Sequence, residues 1–368
     1  MMYYSLYIHI PFCSGGKCDY CAFYSLGDSI TELRAKYLSR LEEEFAEHAS
    51  ECAPLRSIFI GGGTPSALST EELSRLFSAI HRHFALEPDC EWTLEANPDS
   101  LTAEKLHVAL ESGVNRLSLG VQSFQPHLRE RLGRHGSLET LPNLVAQARK
   151  LGLPKLNFDL IYDIPGQTLT EWESDLHAAV ALSPDHLSCY SLIFEENTPL
   201  SRRLKPPVDD EFFLACWHRN DEVLATHGLP RYEISNFASN ENHCRHNWEV
   251  WHGQTYLGCG PAAVSFDGED RPANPADLST WLDHVPPSHD RLASDARCRE
   301  IFAFAFRTVD GWPWELLNKT LGLTKKDLAN RPEIQSLIGQ NWIILDNSGI
   351  RPTSQGLLFN DEVLEALL

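Results

Sequence analysis

From the start of the chain to about residue 193, short runs rich in β-forming residues alternate with longer amphipathic ones. That alternation restricts the fold more than any other feature, because successive strand–helix units build a parallel sheet with helices on its outer face. It predicts strands over 5–10, 57–60, 91–95, 116–120, 156–162 and 186–193, and helices over 31–49, 70–84, 103–112, 138–151 and 171–182. Two of these helices open on a capping box, Ser69 with Glu72 and Thr170 with Glu173, in which each side chain satisfies a first-turn backbone N–H. In barrels of such units the chemistry gathers at the C-terminal ends of the strands.

The loop after the first strand lies at that end. It carries YIHIPFCSGGKCDYCAFY, residues 7–24, with Cys13, Cys18 and Cys21 close together. Three thiolates in so short a loop suit one iron–sulfur cluster. A cubane cluster has four irons held by thiolates, so three cysteines leave one iron without a protein ligand, and an open position separates a substrate-binding metal site from a closed structural one. Two alternatives stay open on the residues alone. One is a zinc knuckle, whose fourth ligand has only His9 as a close candidate; the other is three unrelated core cysteines.

Tyr-Ile-His-Ile-Pro-Phe-Cys, followed by a close pair of cysteines with an aromatic between them, resembles the start of a radical S-adenosylmethionine (SAM) protein. Within that superfamily it resembles the group that contains oxygen-independent coproporphyrinogen III dehydrogenases and HemW haem chaperones. The resemblance implies an α/β fold, a partial (β/α)6 barrel open on one side, with a [4Fe–4S] cluster on Cys13, Cys18 and Cys21. The open iron would chelate the amino and carboxylate groups of SAM, which an electron from the cluster can cleave to a 5′-deoxyadenosyl radical. One departure stands out: Ser14, Gly15, Gly16 and Lys17 separate the first two cysteines, where the family has three residues. An extra residue adds up to about 3.5 Å of chain, and adjacent glycines can take the positive φ that folds it into a bulge.

The run IFIGGGTPS, residues 58–66, sets three glycines directly after a strand. Such a turn lets backbone approach a ligand and aim amides at it, yet no Lys-Ser or Lys-Thr follows as a phosphate loop requires. By resemblance, Gly62, Gly63 and Thr64 would serve the methionyl amino group of SAM. Glu95 in EANPDS, Gln122 in GVQSF, Arg134 in RLGR and Asp159 in NFDLIYDIPGQT match further SAM contacts. A carboxylate in an apolar strand needs a partner, and for Asp159 that is Arg134 or a ribose hydroxyl. Tyr7, Tyr20, Ser191 in CYSLIFE and Val264 in GCGPAAVSF complete the set, with Tyr7, Ser191 and Val264 contributing backbone or packing.

CRHNWEVWHG, residues 244–253, resembles the HN-x-x-YW motif of HemW proteins, with Val250 in place of the tyrosine. Imidazole is a standard axial ligand of haem iron, which makes His246 the candidate haem ligand, with Trp248 and Trp251 against the porphyrin face. The plainer reading is a buried histidine that hydrogen-bonds the barrel. The dehydrogenases carry a further cysteine two residues after the third cluster cysteine, where this chain has Phe23, and an N-terminal extension before the first strand. Both differences, with the HNWEVW segment, favour a haem chaperone; the alternative is the dehydrogenase, which oxidatively decarboxylates propionates of coproporphyrinogen III.

After residue 193 the pattern weakens at Pro199, Pro206 and Pro207, a helix is expected over 210–227, and 231–266 is dense in aromatics and glycines. From about 293 a helical segment leads to WIILDNSGIRPT, a hairpin turning at 347–349, and a last helix over 356–368. Helix, hairpin and helix suggest a winged-helix-like module. The division expected is a barrel with its cluster over 1–200, a barrel extension over 201–290 and a HemN-type C-terminal domain over 291–368. A formal charge of −20 argues against a nucleic-acid surface. The sequence has no apolar run of about 20 residues and no signal-peptide pattern, so a cytoplasmic protein without stable membrane insertion is expected. Cys52, Cys90, Cys189, Cys216, Cys259 and Cys298 read as buried apolar residues. The resemblance further implies haem-accepting partners such as respiratory enzymes, and leaves room for an electron donor and a homodimer.

Overall fold

The computed structural model of the chain describes residues 2–27, 31–206 and 209–368. Six parallel strands form its centre: β1 (Tyr3–Ile10), β2 (Cys52–Gly62), β3 (Leu86–Ala96), β4 (Arg116–Gln122), β5 (Lys155–Tyr162) and β6 (His186–Ser191). These are the six strands the sequence predicts. Two more extend the sheet: β7 (Asn236–Ala238) pairs antiparallel with β6, and β8 (Tyr256–Cys259) pairs parallel with β1. The eight strands lie in the order β7-β6-β5-β4-β3-β2-β1-β8, so β7 and β8 form the edges of an open barrel.

The two-residue period of the strands divides their side chains between two environments. Along β1, Leu6, Ile8 and Ile10 are fully buried in the apolar core with Phe45, Phe77, Trp92 and Trp172, while Ser5, Tyr7 and His9 face inward. The inner face is polar and internally bonded, as buried polar groups must be. Asn157 donates to the Ser118 hydroxyl (2.7 Å) and to Asp159 (2.8 Å), and its carbonyl oxygen lies 2.7 Å from the His186 ring. The other His186 nitrogen lies 2.9 Å from the Tyr232 hydroxyl.

The outer helices include Thr31–His48, Thr70–His83, Ala103–Glu111, Leu141–Lys150 and Leu169–Ala181. The Ser69–Glu72 capping box is present. The second box is Thr168 with Glu171 rather than Thr170 with Glu173; TLTEWE offers both frames, and the turn at Gly166 starts the helix in the earlier one. Glu173 instead pairs with Arg219 at 2.9 Å. A short helix, Pro126–Arg131, was not foreseen.

Beyond β6 the expected helix spans Asp210–Thr226, and Arg245–Trp251 is a short helix; Pro207 lies outside the described residues. The C-terminal part has a second apolar core, which joins Ile301, Phe306, Trp312, Leu337, Ile350 and Val363 with Phe266. A three-stranded antiparallel sheet of Trp312–Pro313, Gly349–Pro352 and Ile343–Leu345 sits among its helices. The hairpin loop is 346–348, where Asp346 accepts from the amides of Ser348 and Gly349, an Asx turn that returns Gly349 to the strand. The last helix is two, Ser354–Leu358 and Asn360–Leu367. Cys90, Cys189, Cys216 and Cys259 are buried as expected, whereas Cys52 and Cys298 are half-buried. No helix among the described residues is long and apolar enough to cross a membrane.

Candidate functional site

A cavity of about 470 Å³ opens at the C-terminal ends of the strands. Cys13, Cys18 and Cys21 line it from the loop after β1, and all three are free thiols. The loop is anchored by backbone: the Cys13 amide donates to Leu26 (2.8 Å) and the Asp19 amide to Leu132 (3.0 Å). Gly15 and Gly16 take φ of 73° and 98°, the positive φ that lets the longer loop turn, and Gly16 lines the cavity. Among the described residues no three His, Cys, Asp or Glu side chains converge on one metal ion. Each thiolate of a cubane binds a different iron, so its sulfurs need not converge as they do around zinc. His9, the candidate fourth zinc ligand, has its ring nitrogens 2.9 Å from the Tyr24 carbonyl and 3.1 Å from the Tyr7 hydroxyl. The residues fit a cluster better than a zinc knuckle.

The triple glycine packs the end of β2 against this loop. A Cβ at Gly63 would lie 2.5 Å from the Phe12 carbonyl oxygen, and one at Gly62, where φ is +102°, would lie 2.6 Å from the His9 ring. The amides expected to face a ligand are already engaged: Gly62 donates to the Glu95 carboxylate, Gly63 to Ile10 (2.8 Å) and Thr64 to Phe12 (2.6 Å). The turn serves first to fix the cysteine loop. Gly62, Gly63 and Thr64 nonetheless line the cavity.

Glu95, at the end of β3, reaches the cavity beside them. Burial, reinforced by nearby Asp159, pushes its carboxyl up to about 8, against which the Gly62 amide and Arg116 pull only partly. A carboxylate in this state is short of positive charge. Asp159 also lines the cavity, but its partners are Ser118 (3.0 Å), Asn157 (2.8 Å) and Ser188 rather than Arg134. Burial still raises it.

Arg134 crosses β4 where Gly120 leaves room; a Cβ there would lie 3.0 Å from its guanidinium. It donates to Asn97 (2.8 Å), to the Gly120 carbonyl (2.9 Å) and to Tyr20, while its Nε is buried without a partner among the described residues. Tyr20, raised by burial to about 12, thereby ties the cysteine loop to this wall. Gln122 ends β4 at a bulge with φ of 69°, a left-handed conformation of the kind that concentrates at ligand sites. Ser191 lines the cavity from the end of β6.

Tyr7, Val264 and His246 stand apart from the cavity. Tyr7 faces the barrel interior with its hydroxyl on His9. Val264 bridges to Ala273. His246 is at the opposite end of the barrel, 6% exposed, with Nδ1 2.9 Å from the Ser57 hydroxyl and its ring 5.3 Å from Phe59. These contacts bury the imidazole against the floor of the barrel. Sequence reasoning missed Asn97, Ser118 and Tyr190, all of which line the cavity. Tyr190 follows His186 and Ser188 at a two-residue step on β6, so an inward-facing period was there to be read.

Comparison with known proteins agrees with this geometry. The family model described as the radical SAM superfamily matches residues 7–179, and the one described as the HemN C-terminal domain matches 292–359. The heme chaperone HemW of Bacillus subtilis (strain 168) is 32% identical over 392 residues, with 99% of each chain covered. That of Escherichia coli (strain K12) is 33% identical over 377 residues, covering 99% of this chain and 98% of the relative. This chain belongs to the HemW family of radical SAM proteins. Membership of the superfamily implies a [4Fe–4S] cluster and SAM. Among solved structures, coproporphyrinogen III oxidase (HemN) from Escherichia coli, described as a radical SAM enzyme, superposes with a TM-score of 0.86 at 23% identity, covering 99% of this chain and 89% of that one. HemW-family membership and this superposition agree on the open barrel with its helical C-terminal region.

Proposed function

We propose that the chain is a haem chaperone, which holds a [4Fe–4S] cluster, binds SAM beside it, and carries haem to haem-accepting proteins such as respiratory enzymes. The observation that carries this reading is the full-length match, 99% of both chains, to a heme chaperone HemW. At the place where the dehydrogenases bear their further cysteine, Phe23 stands 66% exposed on the cavity rim.

Cys13, Cys18 and Cys21 would hold the cluster. Bound there, it supplies an electron and one open iron for the amino and carboxylate groups of SAM. The chain's own residues would hold the rest of the cofactor. With the amides of the glycine turn engaged, the turn can offer a ligand only acceptors, and together with the charge-starved Glu95 these suit the SAM ammonium. Arg134, Gln122, Asp159 and Ser191 would contact the remainder, with Asp159 an acceptor for ribose hydroxyls.

On this reading the chain divides into a barrel over 1–200, an extension over 201–290 and a C-terminal domain over 291–368, and works in the cytoplasm. The test is an anaerobic assay of cluster-reconstituted protein with SAM, a reductant and coproporphyrinogen III. A chaperone yields no decarboxylated porphyrinogen; product formed in step with 5′-deoxyadenosine makes the chain a dehydrogenase.

A further inference from the structure

Inside the barrel an unbroken line of hydrogen bonds runs from the cysteine-lined cavity to the opposite end. Asp159 lines the cavity, and Asn157 donates to it at 2.8 Å. The Asn157 carbonyl oxygen lies 2.7 Å from His186 Nδ1, His186 Nε2 lies 2.9 Å from the Tyr232 hydroxyl, and that hydroxyl accepts the Cys244 amide at 3.2 Å. Cys244 is the N-cap of the Arg245–Trp251 helix and gives it no side-chain cap. Asn157, His186, Tyr232 and Cys244 are each no more than 2% exposed, so bulk water does not reach the line.

Chemistry fixes the direction of every bond. An ionised carboxylate only accepts, so Asn157 faces Asp159 with its NH2 group and faces His186 with its oxygen. His186 must then carry its proton on Nδ1. Burial, with Arg116 nearby, keeps that ring neutral, which leaves Nε2 a bare acceptor for the Tyr232 proton and the phenol oxygen free for the Cys244 amide. The line has one alternative. A protonated Asp159 turns donor, Asn157 flips to meet it with oxygen, and the Asn157 NH2 group then requires the Nε2–H form of His186. That proton points at Tyr232 and competes with the Cys244 amide for the phenol oxygen. Burial raises Asp159, while Ser188, Ser118, Asn157 and Arg116 pull the other way, so both states are within reach.

We infer that this line is a two-state relay through which SAM held by Asp159 tightens the N-terminal end of the Arg245–Trp251 helix at the far end of the barrel. The inference rests on the reading that SAM hydroxyls meet Asp159. Hydroxyl donors and the cofactor's positive charge keep Asp159 ionised, which holds every bond of the line in its first direction. Asn157, His186 and Tyr232 are positioning residues in this relay. Tyr232 also accepts the Val309 amide on its carbonyl oxygen at 3.0 Å, so the helix and the C-terminal part are both fastened to the residue that ends the line. Coupling is reciprocal, so whatever tightens the helix end raises SAM affinity by the same factor.

The experiment is amide hydrogen exchange of full-length, cluster-reconstituted protein with and without SAM, on wild type and Tyr232→Phe, with calorimetric SAM titration of both. Coupling between sites is typically about fivefold or more, so SAM should slow exchange over residues 244–248 of wild type by about that factor. In Tyr232→Phe that slowing should vanish while SAM still binds and still protects the cysteine loop. If SAM protects the cysteine loop of wild type and leaves 244–248 unchanged, or slows 244–248 equally in Tyr232→Phe, the relay is wrong and the SAM reading stands. If reconstituted wild type binds no SAM, the SAM reading fails and the relay with it. Nitrogen-15 spectra of histidine-labelled wild type, assigned with His186→Gln, test the relay even if Tyr232→Phe does not fold. SAM should shift His186 toward the Nδ1–H tautomer, and a tautomer indifferent to SAM would overturn the inference.

Discussion

The Ser57 hydroxyl lies 2.9 Å from His246 Nδ1 at the floor of the barrel, and Ser57 in turn donates to Ser5 at 2.9 Å. The same histidine's amide donates to Glu91 at 3.3 Å. These contacts join the Arg245–Trp251 helix to β1, β2 and β3, so His246 works as a structural pin. His246→Ala should lower stability by about 1–3 kcal/mol through unsatisfied partners alone, with a further loss from the cavity. Thermal or denaturant unfolding measures it.

The pin also has a pH dependence. Burial holds the His246 ring at about 4, and Glu91 only partly opposes this. The folded chain therefore binds fewer protons here than the unfolded one between about pH 4 and 6.5. The contribution is complete above 6.5 and is lost as pH falls through that window. His246→Gln should flatten this part of the stability–pH curve, measured by denaturant unfolding at stepped pH.

Glu95 has the opposite sign. Its folded-state value of about 8, against an ordinary 4.5, means the folded chain binds the extra proton between those limits. Stability is greatest below the window and falls as pH rises through it. Glu95→Gln should remove that slope and, if Glu95 meets the SAM ammonium as proposed, weaken SAM binding by about tenfold through loss of the negative charge. Calorimetric titration with SAM, beside unfolding at pH 5 and 8, reads both effects.

Cys18 is half-buried on the cavity wall and takes no part in the apolar cores. Cys18→Ser should lose cluster iron and sulfide after reconstitution while circular dichroism and melting stay close to wild type. Full iron content in the variant would remove Cys18 from the ligand set.

The glycines of the two loops should behave differently. A Cβ at Gly63 would meet the Phe12 carbonyl at 2.5 Å, whereas one at Gly16 meets nothing within 4 Å. Gly63→Ala should push the cysteine loop away from β2 and impair cluster assembly. Gly16→Ala should cost only the strain of its positive φ, about 1–2 kcal/mol, and keep the cluster. Iron content of the two reconstituted variants makes the comparison.

Much of this arrangement is legible before any coordinates. The central strands read clearly because each is a run such as LSLGVQ, covered on its outer face and bounded by turns, and the cysteines and glycine turn sit just past strand ends where the topology requires a site. What stayed hidden is non-local. β8 is four residues long, too short for a period, and is a strand only because β1 lies beside it. The engagement of the Gly63 and Thr64 amides depends on a chain segment some fifty residues earlier. His246 shows the same limit: HNWEVW signals an aromatic, histidine-bearing helix, but only the position of Ser57 shows that the imidazole is turned into the barrel.

The central claim is that this HemW-family chain carries haem and passes it on. The most direct measurement is to load the reconstituted protein with haem, mix it with the haem-free form of a haem-accepting respiratory enzyme, and follow the shift of the haem absorption band from one protein to the other. The account predicts haem leaving this chain as the acceptor becomes active. Haem that never binds, or that stays on this chain while the acceptor remains empty, would contradict it.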